Sequence, residues 1–271
     1  MKPFRKKKLY RLDEIHAMSQ AFGRPMKGVA YAKFVLIPFL CFGGFSYLFF
    51  HYLWAALICG FIGSLYGWFF LLQKQVKNDY EKDALYERNR FLNNITQMLT
   101  NENMTLIKAF SISSGYAEGE LKKKLIDLQT VLVDGSETEI IEGFRKLRDF
   151  YKSDVQFDQY LEQLAIMFVE GRTPIKSLKD TKDHHNQILI KQDKFIQLKK
   201  ARKRDFNTMI FYSVGFIAAL MFSFTLQKFI DIYAHTPFGM ITSSLYLLII
   251  FGIYHSFNKR FFDDSITEVK I

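Results

Sequence analysis

The chain has 271 residues, with 37 Lys and Arg against 27 Asp and Glu for a net charge of +10, and 49% of it is hydrophobic, including 29 Phe. Two cysteines are too few for a disulfide framework. The charge is also segregated, because Phe34–Leu72, Phe206–Gln227 and Ile232–Asn258 hold no Lys, Arg, Asp or Glu, which excludes an ordinary soluble enzyme and points to an all-α polytopic membrane protein with two spans on each side of a charged helical middle.

Residues 1–33 form a basic arm, nine Lys and Arg against two acids. Beside a span such a cluster holds anionic lipid head groups at about 1 kcal/mol per basic residue, so Lys6, Lys7 and Lys8 are candidate lipid contacts rather than nucleic-acid contacts. Leu9, Leu12, Ile15 and Met18 recur at near-helical spacing, which predicts an amphipathic surface helix within the arm. Residues 34–72 follow as the first transmembrane hairpin. As helix they would measure roughly 58 Å, close to two crossings of a ~30 Å hydrocarbon core, and His51-Tyr52 is the polar turn between the legs. Gly60, Gly63 and Gly67 stand at small-residue spacing and are candidate helix-packing positions, within the chain or between copies. Cys41 and Cys59 read as small apolar residues of the spans. Because one apolar run leads straight into the next, this hairpin is expected to remain in the mature protein.

Residues 73–207 carry 24 Lys and Arg against 21 Asp and Glu, so this middle segment is nearly balanced. Its apolar residues have helical periodicity throughout. Arg90–Leu99 and Thr105–Ser114 are followed by Glu118–Val133, which ends at Asp134-Gly135, where glycine is expected in the left-handed conformation. Ser136 and Glu139 have capping-box spacing and open a helix to about Lys152. A fifth helix, Asp154–Glu170, stops at Gly171, and Thr173-Pro174 opens a long polar helix that reaches the third span. The stretch Glu102–Phe110 resembles Glu170–Leu178, with Asn103 and Gly171 as matching left-handed corners. Asp183-His184-His185 is the best candidate for metal or acid–base chemistry, yet adjacent histidines diverge by about 100° on a helix, and both read as surface residues. No His-Glu-x-x-His, Gly-rich phosphate loop or Gly-x-Ser-x-Gly elbow occurs, so no catalytic residue, metal or cofactor is expected.

Arg202, Lys203 and Arg204 abut the third span and are further candidate lipid contacts. Residues 208–257 form the second hairpin, with legs Met209–Ile230 and Phe238–Phe257, and 258–271 form a short tail. Lys and Arg near span ends are retained on the cytoplasmic side. The arm, the middle and Lys259-Arg260 are therefore expected inside, and the turns at 51–52 and 231–237, which lack Lys and Arg, outside. Ionisable residues within the spans are scarce, which argues against an ion-coupled transporter. A membrane-anchored enzyme or small-molecule transporter is the alternative class.

From about Tyr86 onward the chain resembles the inner-membrane platform proteins of type II secretion and type IV pilus machines, the secretion F family, in its tight-adherence branch. The resemblance rests on Arg90–Leu99 leading into Met104–Phe110, on Val133–Phe144, and on Leu161–Gly171 followed by two spans. It departs from the family at Asn103, where the family tends to have Gly, and in its Lys and Asn content. The resemblance implies a multi-pass inner-membrane scaffold whose cytoplasmic helical bundle contacts a hexameric assembly ATPase. Its spans would help pilin or pseudopilin subunits into a fibre, as a homo-oligomer or paired with a sister platform protein, without catalysis and without direct nucleic-acid binding. On that basis Lys122, Lys123, Lys124, Glu139, Glu142, Arg145, Lys146 and Arg148 are candidates for the ATPase-contact face.

Overall fold

The computed structural model describes residues 10–22, 28–171 and 175–262, all of it helix and connecting turns with no strand among them. Lys6, Lys7 and Lys8, the Thr173-Pro174 cap and the tail beyond Phe262 lie outside the described residues. Among the described residues four helices are long and apolar enough to cross a membrane: Gly28–Phe50, Leu53–Leu99, Ile175–Ser223 and Pro237–Phe261.

The short helix α1 (Leu12–Gln20) buries Ile15 and Met18 while leaving Leu12 exposed. It docks at the foot of the first hairpin, where Ile15, Met18 and Tyr10 pack with Leu72 and Val76. Helices α2 (Gly28–Phe50) and α3 (Leu53–Tyr66) form that hairpin around a turn at His51, whose φ is +52°. At Gly67–Leu72 the helix widens into one π turn and then continues as α4 (Gln73–Leu99). The result is a single 47-residue helix, about 70 Å long. A boundary placed at residue 72 from charge alone therefore falls inside an unbroken helix.

The bundle consists of the far half of α4 with α5 (Leu106–Tyr116), α6 (Gly119–Asp134), α7 (Glu137–Phe150), α8 (Val155–Glu170) and the start of α9 (Ile175–Ser223). Each helix contributes its apolar stripe to one core, in which Phe91, Phe110, Leu125, Phe144, Phe157, Leu161 and Leu164 are sealed from solvent. Local hydrogen bonding sets the corners. Thr105 Oγ1 caps α5 by accepting from Lys108 N, and the Ser136 N–H donates to the Glu139 carboxylate at the start of α7. Gly171 closes α8 in the left-handed conformation at φ +66°. Gly135 does not: it is extended at φ −81°, because the short link to Ser136 has to run straight into the next cap. Asn103 is likewise absent from the left-handed residues, so the two matching corners are built differently; at the first, Asn101 Oδ1 accepts from Asn103 N instead.

Helix α9 runs 49 residues, about 74 Å, from the bundle core at Leu178 to Ile217 and Met221, which pack on Phe49 of α2. It ends earlier than the expected leg Met209–Ile230. The chain leaves the helix at Phe224, Thr225 takes φ +65°, and α10 (Leu226–Phe229) with a π turn through Ala234 follows. Phe206–Ser223 supplies about 27 Å, most of a ~30 Å core, so nothing requires the helix to continue. Thr236 Oγ1 then caps α11 (Pro237–Phe261) by accepting from Gly239 N. The two hairpin turns meet at this end, where Tyr52 stacks on His235 at 4.3 Å.

Candidate functional site

Beyond the bundle core, α4 and α9 lie side by side and are joined by a ladder of polar pairs. The Tyr86 hydroxyl donates to Asp193, His185 Nδ1 donates to Asn89 Oδ1 at 2.8 Å, and Asn93 and Asn186 exchange amide hydrogen bonds at 3.0 and 3.2 Å. One layer deeper, the Thr96 and Tyr160 hydroxyls lie 2.6 Å apart. Polar pairs of this kind fix register, because a slip of either helix would strand buried donors and acceptors.

Asp154 is the hub of the seam. It is the N-cap of α8, where Oδ1 accepts from Phe157 N at 3.2 Å. Its Oδ2 accepts from Arg88 Nε of α4 at 2.6 Å and faces His185 Nε2 of α9 at 3.5 Å. A single carboxylate thus ties three helices together. Burial alone would raise its pKa, but the His185 ring and the Arg88 guanidinium together outweigh that and hold it well below the usual carboxylate range. Contrary to the surface position expected for both histidines, the His185 ring is buried at 1% exposure, whereas its neighbour His184 faces solvent. The 100° between them sends one inward and one outward. Among the described residues no group of three His, Cys, Asp or Glu could hold a metal ion.

The charged residues of the expected contact face divide into two sets. Glu139 is the α7 capping partner, and Glu142 pairs with Arg145 at 2.7 Å along the same helix. Arg148 bridges to Asp158 at 2.8 Å and Glu162 at 3.0 Å, holding α7 on α8. Lys124 lies over the Phe150 ring at 5.0 Å. Lys122, Lys123 and Lys146 remain as exposed cations on α6 and α7. Helix periodicity marks all eight as surface positions but cannot say which are engaged by a neighbouring helix.

Gly60, Gly63 and Gly67 face α2 within the chain. A Cβ at Gly63 would lie 2.7 Å from the Pro38 carbonyl oxygen, and one at Gly67 would collide with the Phe34 carbonyl. Gly44, in contrast, opens on empty space. Gly67→Val is therefore expected to destabilise the hairpin by about 1–3 kcal/mol or more while Gly44→Val leaves it nearly unchanged; thermal unfolding of the solubilised chain measures the difference.

No family model and no solved structure matches this chain. An uncharacterized protein of Bacillus anthracis is 37% identical to it over 266 residues, which cover 98% of this chain and 96% of the relative.

Proposed function

This chain belongs to one family with that Bacillus anthracis protein, and from this premise we propose that it is a multi-pass platform protein of the cell membrane, serving a pilus or secretion-type fibre machine. The correspondence runs through nearly the whole of both chains, so spans and bundle are treated as one working unit. On this reading the bundle and both termini are cytoplasmic. Supporting that orientation, Lys199–Arg204 and Lys259-Arg260 lie at the bundle end of the apolar helices, whereas the connections at the opposite end, 51–52 and 224–236, hold a single cation, Lys228, against Asp231.

The observation that carries the proposal is continuity. Two helices of 47 and 49 residues each pass without interruption from an apolar span into the bundle, and the Asp154 seam locks them together there. A force applied to the bundle by a cytoplasmic hexameric ATPase would then reach the spans as rigid-body movement, instead of being lost in a flexible linker. Pilin subunits in the bilayer would be its recipients. Lys122, Lys123 and Lys146 are the cations best placed for the ATPase contact. Pairing with a second copy or a sister platform protein would use span surfaces other than the glycine face, which is occupied by α2.

Affinity purification of the tagged chain from gently solubilised membranes tests the proposal. Recovery of a hexameric secretion-type ATPase with pilin-like subunits is expected, and the ATPase should be lost from the Lys122→Glu, Lys123→Glu, Lys146→Glu variant. A well-folded chain repeatedly recovered without either partner would refute the platform reading.

A further inference from the structure

The bundle end of the third span carries a basic patch that the coupling role does not use, although one of its cations, Lys203, also lies over the Phe261 ring of α11 at 4.9 Å. Lys200, Lys203, Arg204, Asn207, Thr208 and Phe211 line an open concavity of about 430 Å³ on α9. Their spacing of i, i+3, i+4, i+7, i+8 and i+11 puts them on one helix face. Arg202 is exposed but does not line this surface, whereas Lys200, outside the cluster singled out from the sequence, does.

The face changes character along its length. Three cations come first, then an amide and a hydroxyl at the start of the apolar stretch, then Phe211, which lies within that stretch and is 72% exposed. From Lys200 to Phe211 the rise is about 16 Å, the scale of a lipid head group and the upper part of its chains. Lys203 and Asn207 also line a smaller crevice that reaches between all four apolar helices, past Phe34, Leu71, Phe206 and Tyr254. The acids nearby do not cancel the charge. Asp205 follows Arg204 about 100° round the helix, and Asp79 of α4, which acts on Lys200, is a single carboxylate against three cations.

We propose that this face of α9 is a binding site for an anionic glycerophospholipid, its phosphate held by Lys200, Lys203 and Arg204 and an acyl chain laid along Phe211. A basic surface that continues directly into hydrocarbon-facing aromatic surface fits an amphiphile better than a free anion or a nucleic-acid strand. The site depends on the apolar helices spanning a membrane and not on the platform role, so it stands or falls separately from the ATPase and pilin capture.

The test uses the full chain in neutral detergent with native mass spectrometry of retained lipid, comparing dioctanoyl phosphatidylglycerol with dioctanoyl phosphatidylcholine. The wild type is expected to retain the anionic lipid about 10-fold or more over the zwitterionic one. The Lys200→Gln, Lys203→Gln, Arg204→Gln variant should lose that preference, and Lys200→Arg with Lys203→Arg should keep it. The bundle variant Lys122→Gln, Lys123→Gln, Lys146→Gln serves as the control and should bind as wild type. Should the triple variant lose its helical circular dichroism, the single changes Lys200→Gln and Arg204→Gln each take its place, with an expected drop of about 5-fold. Undiminished anionic-lipid retention in a helical variant overturns the site. So does displacement of the lipid by inorganic phosphate at equal concentration, or by a short single-stranded oligonucleotide.

Discussion

Asp154→Ala is expected to cost about 3–5 kcal/mol, the range for removing one partner of a buried charge pair, which would leave a marginally stable bundle unfolded over much of the working temperature range. The substitution strips three things at once: the α8 cap, the acceptor for Arg88, and the carboxylate facing His185. The largely covered Arg88 would lose its carboxylate partner and the buried His185 Nε2 the group it faces, while Nδ1 keeps Asn89, and that uncompensated desolvation dominates the loss. Arg88→Met combined with Asp154→Ala should therefore be less damaging than the sum of the two single changes, a non-additivity that a double-mutant cycle of chemical unfolding measures. The hub also fixes the acid response. The folded carboxyl titrates below its unfolded value, near 3.9. Its stabilisation is complete above that pH and is lost as pH falls through the folded pKa. Asp154→Asn should flatten the acid limb of the stability profile, and an unchanged limb would show that another group governs it.

A second large effect is expected from Gln197→Pro. This exposed position lies on α9 between the bundle seam and the first residues of the span. Proline there removes a backbone donor and clashes with the preceding turn, costing about 3 kcal/mol or more locally and bending the helix. On the bundle side α9 is held at Leu178 and along the seam through His185, Asn186 and Asp193, and beyond residue 197 it is held by Phe206 stacked on Phe257 and by Ile217 and Met221, so both ends should remain folded. What should fail is transmission: under the platform proposal, the variant still captures the ATPase but assembles no fibre. Normal fibres from a variant with a verified kink would refute rigid coupling through α9. Gln197→Ala is the matched control and should behave as wild type.

Much of the helical layout is legible in the chain because its determinants lie within one or two turns. The apolar runs, the Thr105 and Ser136 caps, and the left-handed Gly171 depend on periodicity and on partners three residues away. Where two local solutions compete, the chain alone misleads. Gly135 was free to be left-handed but is extended, and Asn103 is served by Asn101 instead. The third apolar run looks long enough to continue to Ile230, yet the helix breaks at Thr225.

The seam was hidden for a different reason. His185 sits in a polar stretch of a polar helix, and no periodic signal separates a buried histidine from a solvated one. Only the crossing of α4 and α9, with the α7–α8 corner pressed against them, puts Asn89, Asp154 and Arg88 around it. The same holds for Arg148, engaged by Asp158 and Glu162 of the next helix, and for Gly67, whose spacing suggests packing without naming the partner. The sequence by itself determined the helices, their caps and the four apolar runs, because hydrogen bonding and hydropathy act between residues close along the chain. Tertiary structure alone decided which polar groups are buried together and which charges are spent, because those depend on surfaces contributed by helices distant in sequence.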